Sequence, residues 1–230
     1  MSETVLAIVP ARGGSKGVPR KNIRLLHGRS LLAYVADVAR ASGVVDRIVL
    51  STDDIEVQQE GLRCGLEAPF LRPAALAADE SPMLPVVEHV IATVAAEGRP
   101  PDFVVLLQPT SPLRQPAHIR RAVEQLRATG ADSVVSVVEL PRHHSPDYVM
   151  RIDDGRLVNF LEEGGRITRR QDTRPAYVRD GTVYAFRTST VLAKRSLYGD
   201  DCRPLVVPSS ESLSIDTAED WAEAERRLAP

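Results

Sequence analysis

The sequence predicts an α/β fold, a mostly parallel sheet with helices packed on both faces. Three observations carry that expectation. Short apolar runs of Val, Leu and Ile recur along the chain, as in strands buried on both faces. Amphipathic stretches with helical spacing separate most of those runs. Polar clusters follow several of the runs, at the carboxyl ends of the strands, where open parallel sheets bind ligands. The 230 residues suit one large α/β unit, and residues 1–230 are read as a single domain.

The elements follow in order. Val5-Leu6-Ala7-Ile8-Val9 is a buried first strand. After a basic loop, Ser30 caps a helix whose residues Leu31, Leu32, Val35, Val38 and Ala39 share one face, and Gly43 ends it. Arg47-Ile48-Val49-Leu50-Ser51 is the second strand, and Asp53 is read as the cap of a helix running to about Cys64. Val86, Val87, Val90, Ile91 and Val94 mark a third helix, and 103–107 is a central strand. Pro116 opens a helix that stops near Gly130, and 133–138 is the next strand. Strands alternating with helices in this way imply parallel pairing.

The rhythm breaks between 139 and 179. There, 148–152 and 156–160 flank Asp153-Asp154-Gly155 and read as a β-hairpin, followed by a polar stretch rich in Arg and Gly. An insertion of this kind is read as a lid or a subunit-contact arm. A strand at 182–186 and a helix from 218 to 228, with Trp221 and Leu228 on its packed face, complete the chain.

Composition narrows the function classes. A hydrophobic content of 43% with only 4% aromatics predicts an aliphatic core. The net charge of -2 argues against general nucleic-acid binding and makes the basic loop a local feature. Two cysteines, Cys64 and Cys202, are too few for a disulfide scaffold or a zinc site, and a reduced cytoplasmic protein is expected. No positive region precedes the first apolar run, so no signal peptide is expected, and no run is long enough to span a bilayer.

The chemistry concentrates in three clusters. The first, Ala11-Arg12-Gly13-Gly14-Ser15-Lys16-Gly17-Val18-Pro19-Arg20-Lys21-Asn22, follows the first strand. Its glycines let backbone N–H groups approach an anion, and Arg12, Lys16, Arg20 and Lys21 neutralise a polyphosphate. It is neither a P-loop nor a dinucleotide fingerprint. The second, Gln108-Pro109-Thr110-Ser111-Pro112-Leu113-Arg114, presents Gln108 at a strand tip. The third, Ser214-Ile215-Asp216-Thr217, leads into the last helix. Asp216 there is a helix-terminal carboxylate or, functionally, a Mg²⁺ ligand of the sort phosphoryl chemistry needs.

With these motifs the chain resembles the acylneuraminate cytidylyltransferase family, the CMP-sialic acid and CMP-nonulosonic acid synthetases, over nearly its whole length. The specific marks are Ala-Arg-x-x-Ser-Lys-Gly-x-Pro-x-Lys-Asn at 11–22, Leu-Gln-Pro-Thr-Ser-Pro-Leu-Arg at 107–114, and Ile-Asp-Thr at 215–217. Weaker ones are Ser51-Thr52-Asp53, Arg72-Pro73 with Leu76-Ala77-Ala78-Asp79, and Arg170-Gln171 ahead of Asp180-Gly181-Thr182-Val183-Tyr184. The resemblance implies a Rossmann-like sheet of the nucleotide-diphospho-sugar transferase type with a hairpin dimerisation arm at 139–179. It also implies transfer of CMP from CTP to an acidic keto sugar, release of pyrophosphate, a divalent cation (Mg²⁺) and a homodimer.

Residue by residue, the resemblance implies that Arg12, Ser15, Lys16 and Lys21 bind the triphosphate, with Ala11, Gly13 and Gly17 also in the nucleotide site. Lys21 would lie closest to the α-phosphate, and Arg12 and Asp216 would join it in catalysis, Asp216 as the metal ligand. Asn22, Arg72 and Ser81 would help read the cytidine. Gln108 would stand between nucleotide and sugar, with Arg170 and Tyr184 on the acceptor side.

Three departures from the family pattern stand out. Ser214 replaces one of two expected metal-site carboxylates, Asp180 replaces an asparagine common before the glycine, and Pro82-Met83 replace small polar residues near Ser81. The first two bear on the acceptor. Alternatives are therefore CTP-dependent activation of a phosphonate or a 3-deoxy-octulosonate-like acid, a sugar-1-phosphate nucleotidyltransferase lacking its usual Gly-rich signature, or a non-catalytic nucleotide-binding homologue. His143-His144, as adjacent residues on extended chain, are assigned to an arm or interface, Asp153-Asp154 to turn chemistry, and Cys64 to a buried helix position.

Overall fold

The computed structural model describes residues 3–162, 169 and 173–229. In chain order its strands are β1 (Val5–Pro10), the short pair β2 (Leu25–Leu26) and β3 (Arg29–Ser30), β4 (Arg47–Ser51), β5 (Phe103–Leu106), β6 (Ser133–Glu139), the pair β7 (Met150–Asp153) and β8 (Arg156–Asn159), β9 (Tyr177–Arg187) and β10 (Cys202–Val206). The helices are α1 (Leu31–Ala41), α2 (Ile55–Arg63), α3 (Met83–Ala96), α4 (Pro116–Thr129), α5 (Thr188–Lys194) and α6 (Ala218–Arg227).

The main sheet has the order β10-β6-β9-β5-β1-β4. β1 pairs in parallel with β4 and β5, and β10 in parallel with β6. β9 runs antiparallel to both β5 and β6, so the sheet is mostly rather than wholly parallel. The expected strand at 182–186 is thus the end of an 11-residue strand that enters from the insertion. β10 has no counterpart in the sequence reading. Of its five residues only Leu205 is buried, and Pro204 sits in it, tolerated because β10 is an edge.

Alternation along β1 divides the core between the two faces of the sheet. Val5, Ala7 and Val9 pack with the buried faces of α1 and α4, while Leu6 and Ile8 pack with Val87, Val90 and Ile91 of α3. Helices cover both faces, as the apolar runs required. Among the described residues no helix is long and apolar enough to cross a membrane.

Local chemistry sets the helix ends. Ser30 accepts from the Ala33 N–H and caps α1. α2 is capped by Asp54, not Asp53: the Asp54 carboxylate accepts from the N–H groups of Glu56 (2.8 Å) and Val57 (3.0 Å). Burial works against that carboxylate's charge, but these bonds and Arg20 hold its pKa below the usual range. α4 starts at Pro116 and ends at Gly130 with φ 70, a left-handed position that suits glycine. Thr217 and Asp220 form a reciprocal capping box at α6.

The hairpin β7–β8 is shorter than its expected bounds. Asp153 pairs with Arg156, leaving Asp154 (φ 49) and Gly155 (φ 74) as a two-residue loop with the positive φ values of a type I′ turn. His143 and His144 lie in a 3₁₀ turn (Arg142–His144) rather than on extended chain, and their ring centroids are 4.1 Å apart. Cys64 is the half-buried C-cap of α2, and burial raises its thiol pKa.

Candidate active site

The first two polar clusters leave neighbouring strands at their carboxyl ends, and the third reaches them from the chain ahead of the last helix. The basic loop follows β1, the Gln108–Arg114 loop follows β5, and the 214–216 segment precedes α6. Backbone bonds fix them together. The Ala11 N–H donates to Ser51 O at the end of β4 (3.0 Å), and the Ile215 N–H donates to Thr110 O (2.9 Å). The Gly13 N–H donates to Asp53 Oδ1 (3.1 Å), so Asp53 holds the loop while its neighbour Asp54 caps the helix. Gly17 lies against the 216 backbone so closely that a Cβ there would run into the Asp216 carbonyl oxygen.

The result is a cavity of about 340 Å³. Arg12, Ser15, Lys16, Gly17, Lys21, Asn22, Arg72, Gln108 and Asp216 line it. Three other residues assigned to the nucleotide do not. Ala11 is buried behind the strand end and Gly13 faces Asp53. Ser81 donates through Oγ to Ala75 O, and Met83 lines the cavity in its stead.

The cations of the loop are held rather than free. Asp79 forms ion pairs with both Lys16 and Arg12, and these hold its carboxyl below the usual range, the Lys16 hydrogen bond foremost. One carboxylate therefore occupies two of the four cations that the sequence assigned to phosphate, while Arg20 pairs with Asp54 and Glu56. Nothing in the local pattern around Asp79 signalled that pairing, because it joins residues 67 positions apart.

Lys21 is only 12% exposed. Its Nζ donates to Ile215 O (2.5 Å) and Asp216 Oδ1 (3.1 Å), joining the basic loop to the start of α6. Asn22 donates through Nδ2 to Arg12 O (3.0 Å) and closes the loop on itself. Arg72 is buried, donating through Nε to Ser51 Oγ (3.0 Å), and burial lowers its pKa.

A second cavity of about 480 Å³ adjoins the first. Gln108, Ser214 and Asp216 line both. Tyr184 lines the second, and burial raises its phenol pKa. Arg170 lies outside the described residues. Arg114 lies buried beneath the loops and lines neither cavity. It donates to Thr182 O (2.5 Å) and Gln108 O (2.6 Å), and burial brings its pKa down to about 9. Gly181 (φ 77) packs there because a Cβ would stand 2.9 Å from Gln108 Oε1.

Asp216 is the acidic group shared by the two cavities. Its side chain is 70% exposed, and Oδ2 accepts from Ser214 Oγ at 3.1 Å. Among the described residues no group of three or more His, Cys, Asp and Glu could hold a metal ion. A single exposed carboxylate fits Mg²⁺ that brings most of its ligands with it as phosphate oxygens and water, not an ion caged by protein alone.

A comparison with known families matches residues 6–198 to the model for cytidylyltransferases. The chain is 37% identical to a CMP-N,N'-diacetyllegionaminic acid synthase of Legionella pneumophila, over 97% of this chain and 96% of that one. It is 29% identical to a pseudaminic acid cytidylyltransferase of Campylobacter jejuni, over 94% and 92%. Among solved structures, a CMP:2-keto-3-deoxy-manno-octonic acid synthetase complexed with CTP superposes with a TM-score of 0.75 at 18% identity, covering 99% of both chains, which bears on the fold alone.

Proposed function

The chain belongs to the cytidylyltransferase family, and from that premise we propose that it transfers CMP from CTP to the anomeric hydroxyl of a nonulosonic acid and releases pyrophosphate. The observation that carries this reading is the pair of cavities joined at Gln108, Ser214 and Asp216. One is rimmed by the cations a triphosphate needs. The other is lined by hydroxyl, phenol and guanidinium groups together with the carboxylates of Asp180 and Asp216, a polar lining that suits a sugar.

In this reading the sugar hydroxyl attacks the α-phosphorus and the β,γ-pyrophosphate leaves. Arg12, Ser15, Lys16 and Lys21 bind the triphosphate, so CTP must displace Asp79 from Arg12 and Lys16. Gln108 orients the acceptor against the nucleotide. Asp216 would hold Mg²⁺ together with phosphate oxygens, and the ion would screen charge on the polyphosphate when bound. Positioning and charge neutralisation are most of what phosphoryl transfer asks of a protein. The test is pyrophosphate release from CTP and Mg²⁺ with a panel of acids: N-acetylneuraminate, legionaminic and pseudaminic acids, a 3-deoxy-octulosonate and a phosphonate. Release with a nonulosonic acid and not with the last two is the expected result. Release with none of them would overturn the reading.

The proposal extends to a homodimer, formed through the arm of this single catalytic domain, and to a cytoplasmic setting in keeping with two free thiols. Register places Met150, Ile152 and Leu157 on one face of the β7–β8 hairpin. Ile152 is 79% exposed and Leu157 64%. A lone two-stranded hairpin is marginally stable in water, so an apolar face of this kind favours a partner surface. Ile152→Asp is expected to shift the light-scattering mass from dimer towards monomer. A wild-type monomer at assay concentration with full activity would remove the dimer.

A further inference from the structure

The second cavity contains an unassigned cation, and from it we infer that Arg179 binds the carboxylate of the acceptor sugar and makes the enzyme selective for acids. The inference rests on the reading of the cavity as the acceptor site. Among the described residues Arg179 is the only cationic side chain lining it. Two carboxylates, Asp180 and Asp216, line it as well. Asp216 is offset by Lys21, but Asp180 has no cation paired with it among the described residues, so an acidic sugar entering there meets like charge on the Asp180 side that a cation in the cavity would offset.

Among the described residues, the neighbouring basic groups Arg114 and Lys21 are already committed. Arg114 is buried beneath the loops, its guanidinium directed at the carbonyls of Thr182, Gln108 and Gly181. Lys21 lines the first cavity only and is held by Ile215 O and Asp216. Arg179 differs. Among the described residues it has no carboxylate within ion-pair distance. Its hydrogen bond is donated through Nη1 to the Tyr198 hydroxyl, and the guanidinium sits 5.3 Å from the centre of the Tyr198 ring. That contact orients the group while leaving its other N–H donors for a ligand, and a guanidinium meets a carboxylate with two parallel bonds. The Arg179 charge also reaches the Tyr184 phenol at the cavity wall, where it partly offsets the effect of burial. β9 places Arg179, Asp180 and Tyr184 on the same strand, so one element carries these acceptor-side groups.

The test compares two forms of one acceptor, N-acetylneuraminate and its methyl ester, with wild type, Arg179→Ala and Arg179→Lys, each assayed by CMP-sugar formation from CTP. Wild type is expected to favour the acid. Arg179→Ala should raise KM for the acid roughly 10- to 100-fold, the size of a lost charged hydrogen bond. It should leave KM for CTP and the ester nearly unchanged, so that the acid–ester preference collapses. Arg179→Lys should recover part of it. Equal losses on acid and ester, or an unchanged KM for the acid, would overturn the assignment while leaving the proposed activity standing. Failure of wild type to use N-acetylneuraminate, legionaminic or pseudaminic acid would instead overturn the proposed activity, and this assignment with it.

Discussion

Lys21→Ala is expected to lower kcat by 10²–10³, about 2.7–4 kcal/mol, the cost of removing one preorganised donor from the place where charge develops. The lysine is nearly buried and already fixed by two oxygens of the 215–216 segment. It therefore needs little reorganisation when a phosphate arrives. The same contacts raise a structural objection, since the variant also loses the tie between the basic loop and α6. Two readouts separate the effects. A lost tie would move KM for CTP and the thermal midpoint. A lost transition-state contact would lower kcat at saturating CTP while the melt stays close to wild type. Initial rates of pyrophosphate release for wild type, Lys21→Ala and Lys21→Arg decide it. An Ala variant with more than half of wild-type turnover would take Lys21 out of the reaction.

Much of this arrangement was legible in the sequence, for identifiable reasons. β1, β4, β5 and β6 read clearly because strands buried on both faces carry near-continuous apolar runs. The direction of β9 did not, because an apolar period has no sense of direction, and the chain reaches β9 through an insertion rather than a crossover helix. β10 was missed because an edge strand needs few buried residues. The site divides in the same way. Arg12, Lys16, Lys21, Gln108 and Asp216 sit in short motifs and converge on one cavity. Asp79 and Arg179 matter through pairings and cavity walls that span distant segments, which no local pattern encodes. The choice of Asp53 over Asp54 as a cap failed by one residue, because both are acidic and only the loop's Gly13 N–H distinguishes them.

Metal dependence is the second large effect expected. Asp216→Asn should remove most activity, because an amide lacks the negative charge that helps retain Mg²⁺. Asp216 is the acidic member of the 214–216 pair of positions, and Ser214 reaches it by a hydroxyl bond of 3.1 Å. A hydroxyl is a weak ligand for a hard cation, and Mg²⁺ keeps several waters unless phosphates replace them. The site should therefore bind the ion weakly without nucleotide and acquire it with CTP. Ser214→Asp would supply a second carboxylate beside the first. It should lower the Mg²⁺ concentration needed for half-maximal rate, so its advantage over wild type should be largest at low Mg²⁺ and vanish at saturation, and it would also bring two like charges together when the ion is absent. In the absence of metal that variant is expected to be the less stable of the two, with a melt that Mg²⁺ restores. The deciding measurement is a Mg²⁺ titration of initial rate for wild type, Asp216→Asn and Ser214→Asp, with thermal melts at each end. Wild-type turnover untouched by EDTA, or a fully active Asp216→Asn, would leave Asp216 as a partner for Lys21 and a carboxylate at the start of α6, with no part in holding an ion.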